Sequence, residues 1–108
     1  MSYKYEHAHV TRVVDGDTVH LAIDLGNHIL WAGAFQLAGI DSPERGHPGH
    51  DEAREFLSAE IKAGLSMVET FKPDKYGRWL AELYVDGASV NAKMIVAGHA
   101  VPYSGGAR

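Results

Sequence analysis

Cysteine is absent from this chain of 108 residues, which excludes disulfides and thiolate metal sites and leaves packing alone to hold the fold. No apolar run approaches the roughly 20 residues that span a bilayer. The opening Met1-Ser2-Tyr3-Lys4-Tyr5-Glu6-His7 lacks the apolar stretch of a secretory signal. A cytoplasmic location without a membrane partner is therefore the expectation, with a monomer as the default. Positive charge is scarce too: 10 Lys+Arg stand against 14 Asp+Glu, a formal charge of −4. Such a surface does not draw in nucleic acid by bulk electrostatics, so phosphate binding has to be local and metal-assisted. Internal repeats and low-complexity tracts are also missing. What is present, 45% hydrophobic residues, 22% charged and 12 glycines, describes one ordinary globular domain, large enough for a single core. Seven histidines make its charge sensitive to mildly acidic pH.

Hydrophobic patterning divides the chain into short elements. His9 to Val14 reads as a strand ended by Asp15-Gly16, and Val19, Leu21, Ile23 and Leu25 alternate with polar or small residues as a half-buried strand does. Leu25-Gly26-Asn27-His28 supplies the next reversal. Ile29 to Ile40 reads as a third strand whose Gly33 and Gly39 mark bulges or close approach. After a loop over Arg45 to His50, Asp51 and Glu52 open a helix with Ala53, Phe56, Leu57, Ile61 and Leu65 on one face, Lys62 in its last turn and Gly64 as terminator. Strands follow at about Ser66 to Phe71 and Arg78 to Val85, then a short helix from Val90 to Val96 capped by Ser89 and ended by Gly98. The expected class is α+β, mainly β: a five-stranded OB-fold barrel with its main helix between strands three and four and a short second helix. Residues 1–8 form an N-terminal arm, 9–103 the domain and 104–108 a flexible tail on this reading.

Acid is concentrated in two turns, Asp15-Gly16-Asp17-Thr18 and Ile40-Asp41-Ser42-Pro43-Glu44. Carboxylates gathered this way call for a counter-charge, and a hard divalent cation collects its oxygen ligands from such places. Plainer readings stand beside this one. Asp15-Gly16-Asp17 alone is also a hairpin turn with solvated acids. Arg78 also fits a strand arginine paired with Glu82 or Asp74, and Tyr76 and Trp79 fit core or rim aromatics. His47 and His50, three apart on a loop, are better read as surface histidines than as a transition-metal pair, since no third ligand accompanies them.

Five motifs follow one another in order: Val14-Asp15-Gly16-Asp17-Thr18-Val19, Leu37-Ala38-Gly39-Ile40-Asp41-Ser42-Pro43-Glu44, Lys75-Tyr76-Gly77-Arg78-Trp79-Leu80-Ala81, Asp86-Gly87-Ala88-Ser89-Val90-Asn91 and Ala97-Gly98-His99-Ala100. In this order they resemble the staphylococcal nuclease (thermonuclease-like) family over about residues 9 to 101. The resemblance implies an OB-type barrel and calcium-dependent hydrolysis of phosphodiester bonds in DNA or RNA. It implies Asp17, Asp41 and the backbone carbonyl of Ser42 as calcium ligands, with Asp15 behind them. Glu44 is implied as the group that positions or deprotonates the attacking water, Arg78 as the phosphate-binding arginine, and Tyr76, Lys75 and Tyr103 as substrate contacts. The chemistry agrees: in-line attack builds negative charge on the phosphoryl oxygens, where a cation and an arginine fork lower the barrier. A carboxylate near a metal is suited to taking a proton from water.

One departure matters. The family carries a second arginine on the strand leading into the second acidic motif, and that position is Gln36 here. Glutamine brings neither charge nor a bidentate fork, which implies reduced or altered catalysis. Arg45, directly after Glu44, is a candidate to take over the role. The alternative is a non-catalytic nuclease-like domain that binds nucleic acid, single strands preferred, or a protein partner.

Overall fold

The computed structural model describes residues 2–73 and 77–103. The elements are β1 (Ser2–Tyr5), β2 (Ala8–Asp15), β3 (Thr18–Asp24), β4 (Leu30–Leu37), β5 (Ile40–Asp41), α1 (His50–Glu60), β6 (Met67–Phe71), β7 (Leu80–Val85), β8 (Ala88–Ser89), α2 (Val90–Val96) and β9 (Val101–Pro102). Seven strands form one sheet in the order β1-β6-β7-β4-β3-β2, with β8 attached to β7, and β5 pairs with β9 separately. All pairs are antiparallel except β4 with β7.

The α+β class stands, and the strands are divided more finely than their periodicity suggests. Residues expected as an arm contribute β1, which pairs along β6 from Ser2↔Phe71 to Tyr5↔Val68. The third strand stops at Leu37, because Gly39 takes φ +78 and turns the chain before Ile40 and Asp41 join β9. Gly33 is a site of close approach, since a Cβ there would lie 2.8 Å from the Trp31 ring.

β3 is the spine of the core. Val19, Leu21 and Ile23 are buried on it at alternate positions, as a half-buried strand requires. Ala53 and Leu57 of α1 and Val90 and Met94 of α2 join them in one cluster, with Phe56, Ile61 and Leu65 packed against it. α1 starts at His50 and ends at Glu60, so Lys62 and Gly64 lie beyond it and the last turn has no basic residue. α2 has the expected cap: the Ser89 hydroxyl accepts from Ala92 N–H at 3.1 Å. Buried Asn91 donates to the carbonyls of Ala38 and Ala81 and accepts from Leu83 N–H, tying α2 to the turn after β4 and to β7. None of the described helices is long and apolar enough to cross a membrane.

Candidate functional site

The site starts at the turn between β2 and β3, where Asp15 pairs with Thr18 across Gly16 and Asp17. Gly16 is required there by proximity rather than by φ: a Cβ would meet the Ala53 Cβ at 2.7 Å and Ser42 at 3.0 Å. The turn is thus pressed between α1 and the second acidic stretch. Asp17 is 8% exposed, and its Oδ2 accepts from the Ser42 backbone N–H at 3.0 Å while its carbonyl accepts from Leu37 N–H at 2.7 Å. These bonds join the two acidic turns. Asp41 is anchored by the β5–β9 pair, where it faces Val101, and the Tyr103 N–H to Gly39 carbonyl bond of 2.9 Å continues that pairing.

Gln36, buried near the end of β4, has an oxygen that accepts from the Thr18 hydroxyl at 3.3 Å and from Arg78 Nη1 at 3.4 Å. A guanidinium can only donate, so the amide oxygen must be the atom that faces it. The Thr18 hydroxyl also lies 3.1 Å from Asp17 Oδ1 and shares its one proton between the two acceptors. A cleft of about 460 Å³ opens over this network, lined by Asp15, Asp17, Thr18, Gln36, Asp41, Ser42, Pro43, Glu44, Arg45, Arg78 and Tyr103. The structure therefore brings together every described residue that the sequence singled out for the site, including Arg45. Lys75 and Tyr76 lie outside the described residues.

The donors suit a hard cation. All are oxygens, and the buried Ser42 Oγ has no hydrogen-bond partner among the described residues. No three His, Asp or Glu side chains gather closely enough among the described residues to hold an ion by themselves. Backbone carbonyl or hydroxyl oxygen would have to complete a set begun by Asp17 and Asp41. The residues fit a hard divalent cation on those terms.

One participant escaped the sequence reading. His50, expected at the surface, is 5% exposed. Its Nε2 lies 2.7 Å from Asp15 Oδ1 and its Nδ1 3.1 Å from Asp51 Oδ1. The hydrogen bond to Asp15 and then that to Asp51 raise its pKa above the usual histidine value, against the opposing effect of burial. The spacing from His47 gave no hint of this; the adjacent Asp51 was the one local signal. Thr18, a member of the first acidic motif, joins the site through its hydroxyl, which bridges Asp17 and Gln36.

The family described as Staphylococcal nuclease homologue matches residues 34–107. An "Uncharacterized endonuclease" of Escherichia coli O157:H7 is 32% identical over 98 residues, covering 90% of this chain and 61% of that protein. "Probable staphylococcal-like nuclease CAN1" of Oryza sativa subsp. japonica is 35% identical over 70 residues, 65% of this chain and 21% of that protein. The chain thus spans under two thirds of the bacterial relative and about a fifth of the plant one. With motifs, cleft and matched span in agreement, this chain belongs to the staphylococcal nuclease homologue family.

Proposed function

We propose that the domain hydrolyses phosphodiester bonds of DNA or RNA in this cleft with calcium as its metal. The observation that carries the reading is convergence: Asp17 from one acidic turn, Asp41, Ser42 and Glu44 from the other, and Arg78 from the approach to β7 line one cavity. Asp17, Asp41 and the Ser42 carbonyl would hold the ion, with Asp15 behind them. Calcium would supply counter-charge to the phosphate and make an attacking water more acidic. Glu44 would take the proton from that water as the water oxygen bonds to phosphorus and the P–O ester bond on the opposite side breaks, the departing alkoxide taking a proton from solvent. Arg78 binds the non-bridging oxygens and stabilises the charge that develops on them. Tyr103, Lys75 and Tyr76 hold the flanking nucleotides. Single strands are the preferred substrate, because a chain of charge −4 offers no broad field for a duplex. The sheet is read as a five-stranded OB-type barrel with β1 and β2 as halves of one strand. In support, its path starts on β1 and ends on β2, which only Glu6 and His7 separate.

Gln36 slows this enzyme. Loss of one charged transition-state contact costs about 3–4 kcal/mol, a rate factor of hundreds to about a thousand. That neutral, buried glutamine also favours a second reading, a non-catalytic domain that binds nucleic acid or a protein partner in the same cleft. Nicking of single-stranded DNA with calcium and with chelator separates the two. The native protein is expected to cut only with calcium, Glu44→Gln at least about a hundredfold more slowly, and Gln36→Arg about a hundredfold faster. No cutting by either the native protein or Gln36→Arg would refute the hydrolase reading and leave the binding module.

A further inference from the structure

The first turn of α1 carries a buried side chain that the proposed chemistry does not use. Both ring nitrogens of His50 end on carboxylates, yet the two contacts differ in kind. Asp51 is its neighbour in sequence and its side chain is 72% exposed, so that bond is local. Asp15 is 35 residues away, on the wall of the cleft, so the 2.7 Å bond joins two elements. Three residues further along the helix, Ala53 is fully buried and its Cβ lies only 2.7 Å from where a methyl group on Gly16 would be. α1 therefore grips the acidic turn twice, by a polar contact at Asp15 and by van der Waals contact at Gly16.

We propose that His50 is a positioning residue of the cleft: by holding Asp15 Oδ1 from the first turn of α1, it fixes the Asp15-Gly16-Asp17 turn in the arrangement a divalent cation needs. The inference rests on the reading of the cleft as a calcium-dependent phosphodiesterase. Its physical basis is the crowding of Asp15, Asp17, Asp41 and Glu44 around one cavity. Like charges at short range push such a turn outward. A donor on one oxygen of Asp15 opposes that push and removes the rotamer freedom of the carboxylate. Groups that hold metal-site residues from outside typically contribute ten- to a hundredfold in metal affinity.

Calcium titration of the full chain by calorimetry tests the proposal. His50→Leu keeps the bulk and removes the donors, and is expected to weaken calcium binding about tenfold. His50→Gln keeps an N–H that can reach Asp15 and is expected to stay within about twofold of the native protein. A merely structural role would lower both melting temperatures in chelator without separating the two calcium affinities, and that result would overturn the proposal. Should His50→Leu not fold, imidazole 1H–15N spectra of the native protein serve instead. The His50 ring signals are expected to move in step with calcium saturation, while those of His28, on the β3–β4 hairpin, stay fixed. Stationary His50 signals in a protein that binds calcium would overturn the proposal alone. A native protein that binds no calcium would overturn the reading of the cleft and this inference with it.

Discussion

Successive residues of β4 serve two regions of opposite character. Gln36 lines the acidic cleft, whereas Phe35 and Trp31 line an apolar groove of about 200 Å³ with Tyr3, Tyr5, Leu25 and Trp79. The groove is held by apolar area and by edge-to-face rings, with Trp31 5.1 Å from Phe35 and 6.3 Å from Trp79 between centroids. Each of those contacts can be re-formed by a small shift. The cleft is held by directional bonds between polar groups, such as Asp17 with the Ser42 N–H and Gln36 with Thr18. Removing one member there leaves the other unsatisfied. Equal perturbations of the two regions should therefore have unequal consequences.

The largest difference is expected from adding one methyl group to the cleft. Gly16→Ala places a Cβ 2.7 Å from that of Ala53, an atom fixed to the helix backbone. A loss of about 2–3 kcal/mol in urea unfolding is expected, the upper range for overpacking. Next comes a pair of substitutions read by nicking rate. Arg45→Ala removes a cation from the cleft wall and is expected to slow cutting about tenfold, the value of one charge-assisted contact. Leu25→Ala, at the groove's far end on the β3–β4 hairpin, should change the rate less than about twofold, as for a site remote from the chemistry. Equal losses would erase the distinction, and an indifferent Arg45→Ala would end the idea that this arginine makes up for the neutral Gln36.

A smaller effect is expected from the same methyl group placed in the groove. In Gly33→Ala the new Cβ lies 2.8 Å from the outer edge of the Trp31 ring, which is 37% exposed and can swing aside. Urea unfolding should register about 1 kcal/mol or less. If Gly33→Ala costs as much as Gly16→Ala, the groove is as rigid as the cleft.

The smallest effect is a dependence on pH. The folded-state pKa of His50 is raised, first by Asp15 and then by Asp51. Its contribution to stability is therefore fully present below the unfolded value of 6.5 and is lost as pH rises through the higher folded value. In chelator, the melting-temperature advantage of the native protein over His50→Gln should be largest below pH 6.5. It should shrink above that window. An advantage that grew with pH would show that the ring is neutral between its two carboxylates.

Much of this protein was legible because much of it is local. The burial of Val19, Leu21 and Ile23 along β3, the Ser89 cap and the Ala53–Phe56–Leu57 face of α1 depend on residues a few positions apart and appear as expected, whereas Leu25 is exposed beyond β3 and Ile61 and Leu65 pack on the core from beyond α1. Element ends were less legible. Ile40 and Asp41 leave β4 because Gly39 turns the chain and β9 is there to receive them, a partner some sixty residues later. Ser2–Tyr5 becomes a strand because β6 offers it an edge, which no pattern within four residues announces.

By itself, the sequence determined where acid is concentrated, which turns carry it, and that Gln36, five residues before Asp41, brings no charge. These are properties of residue type and near-neighbour spacing. Only the tertiary structure decided that Asp17 would accept from the Ser42 N–H, that the Gln36 oxygen would face Arg78, and that His50 would be buried against Asp15. Hydrogen bonds are satisfied by whatever packing brings within about 3 Å, and the strand pairings and the seating of α1 that set those distances join residues far apart in the chain.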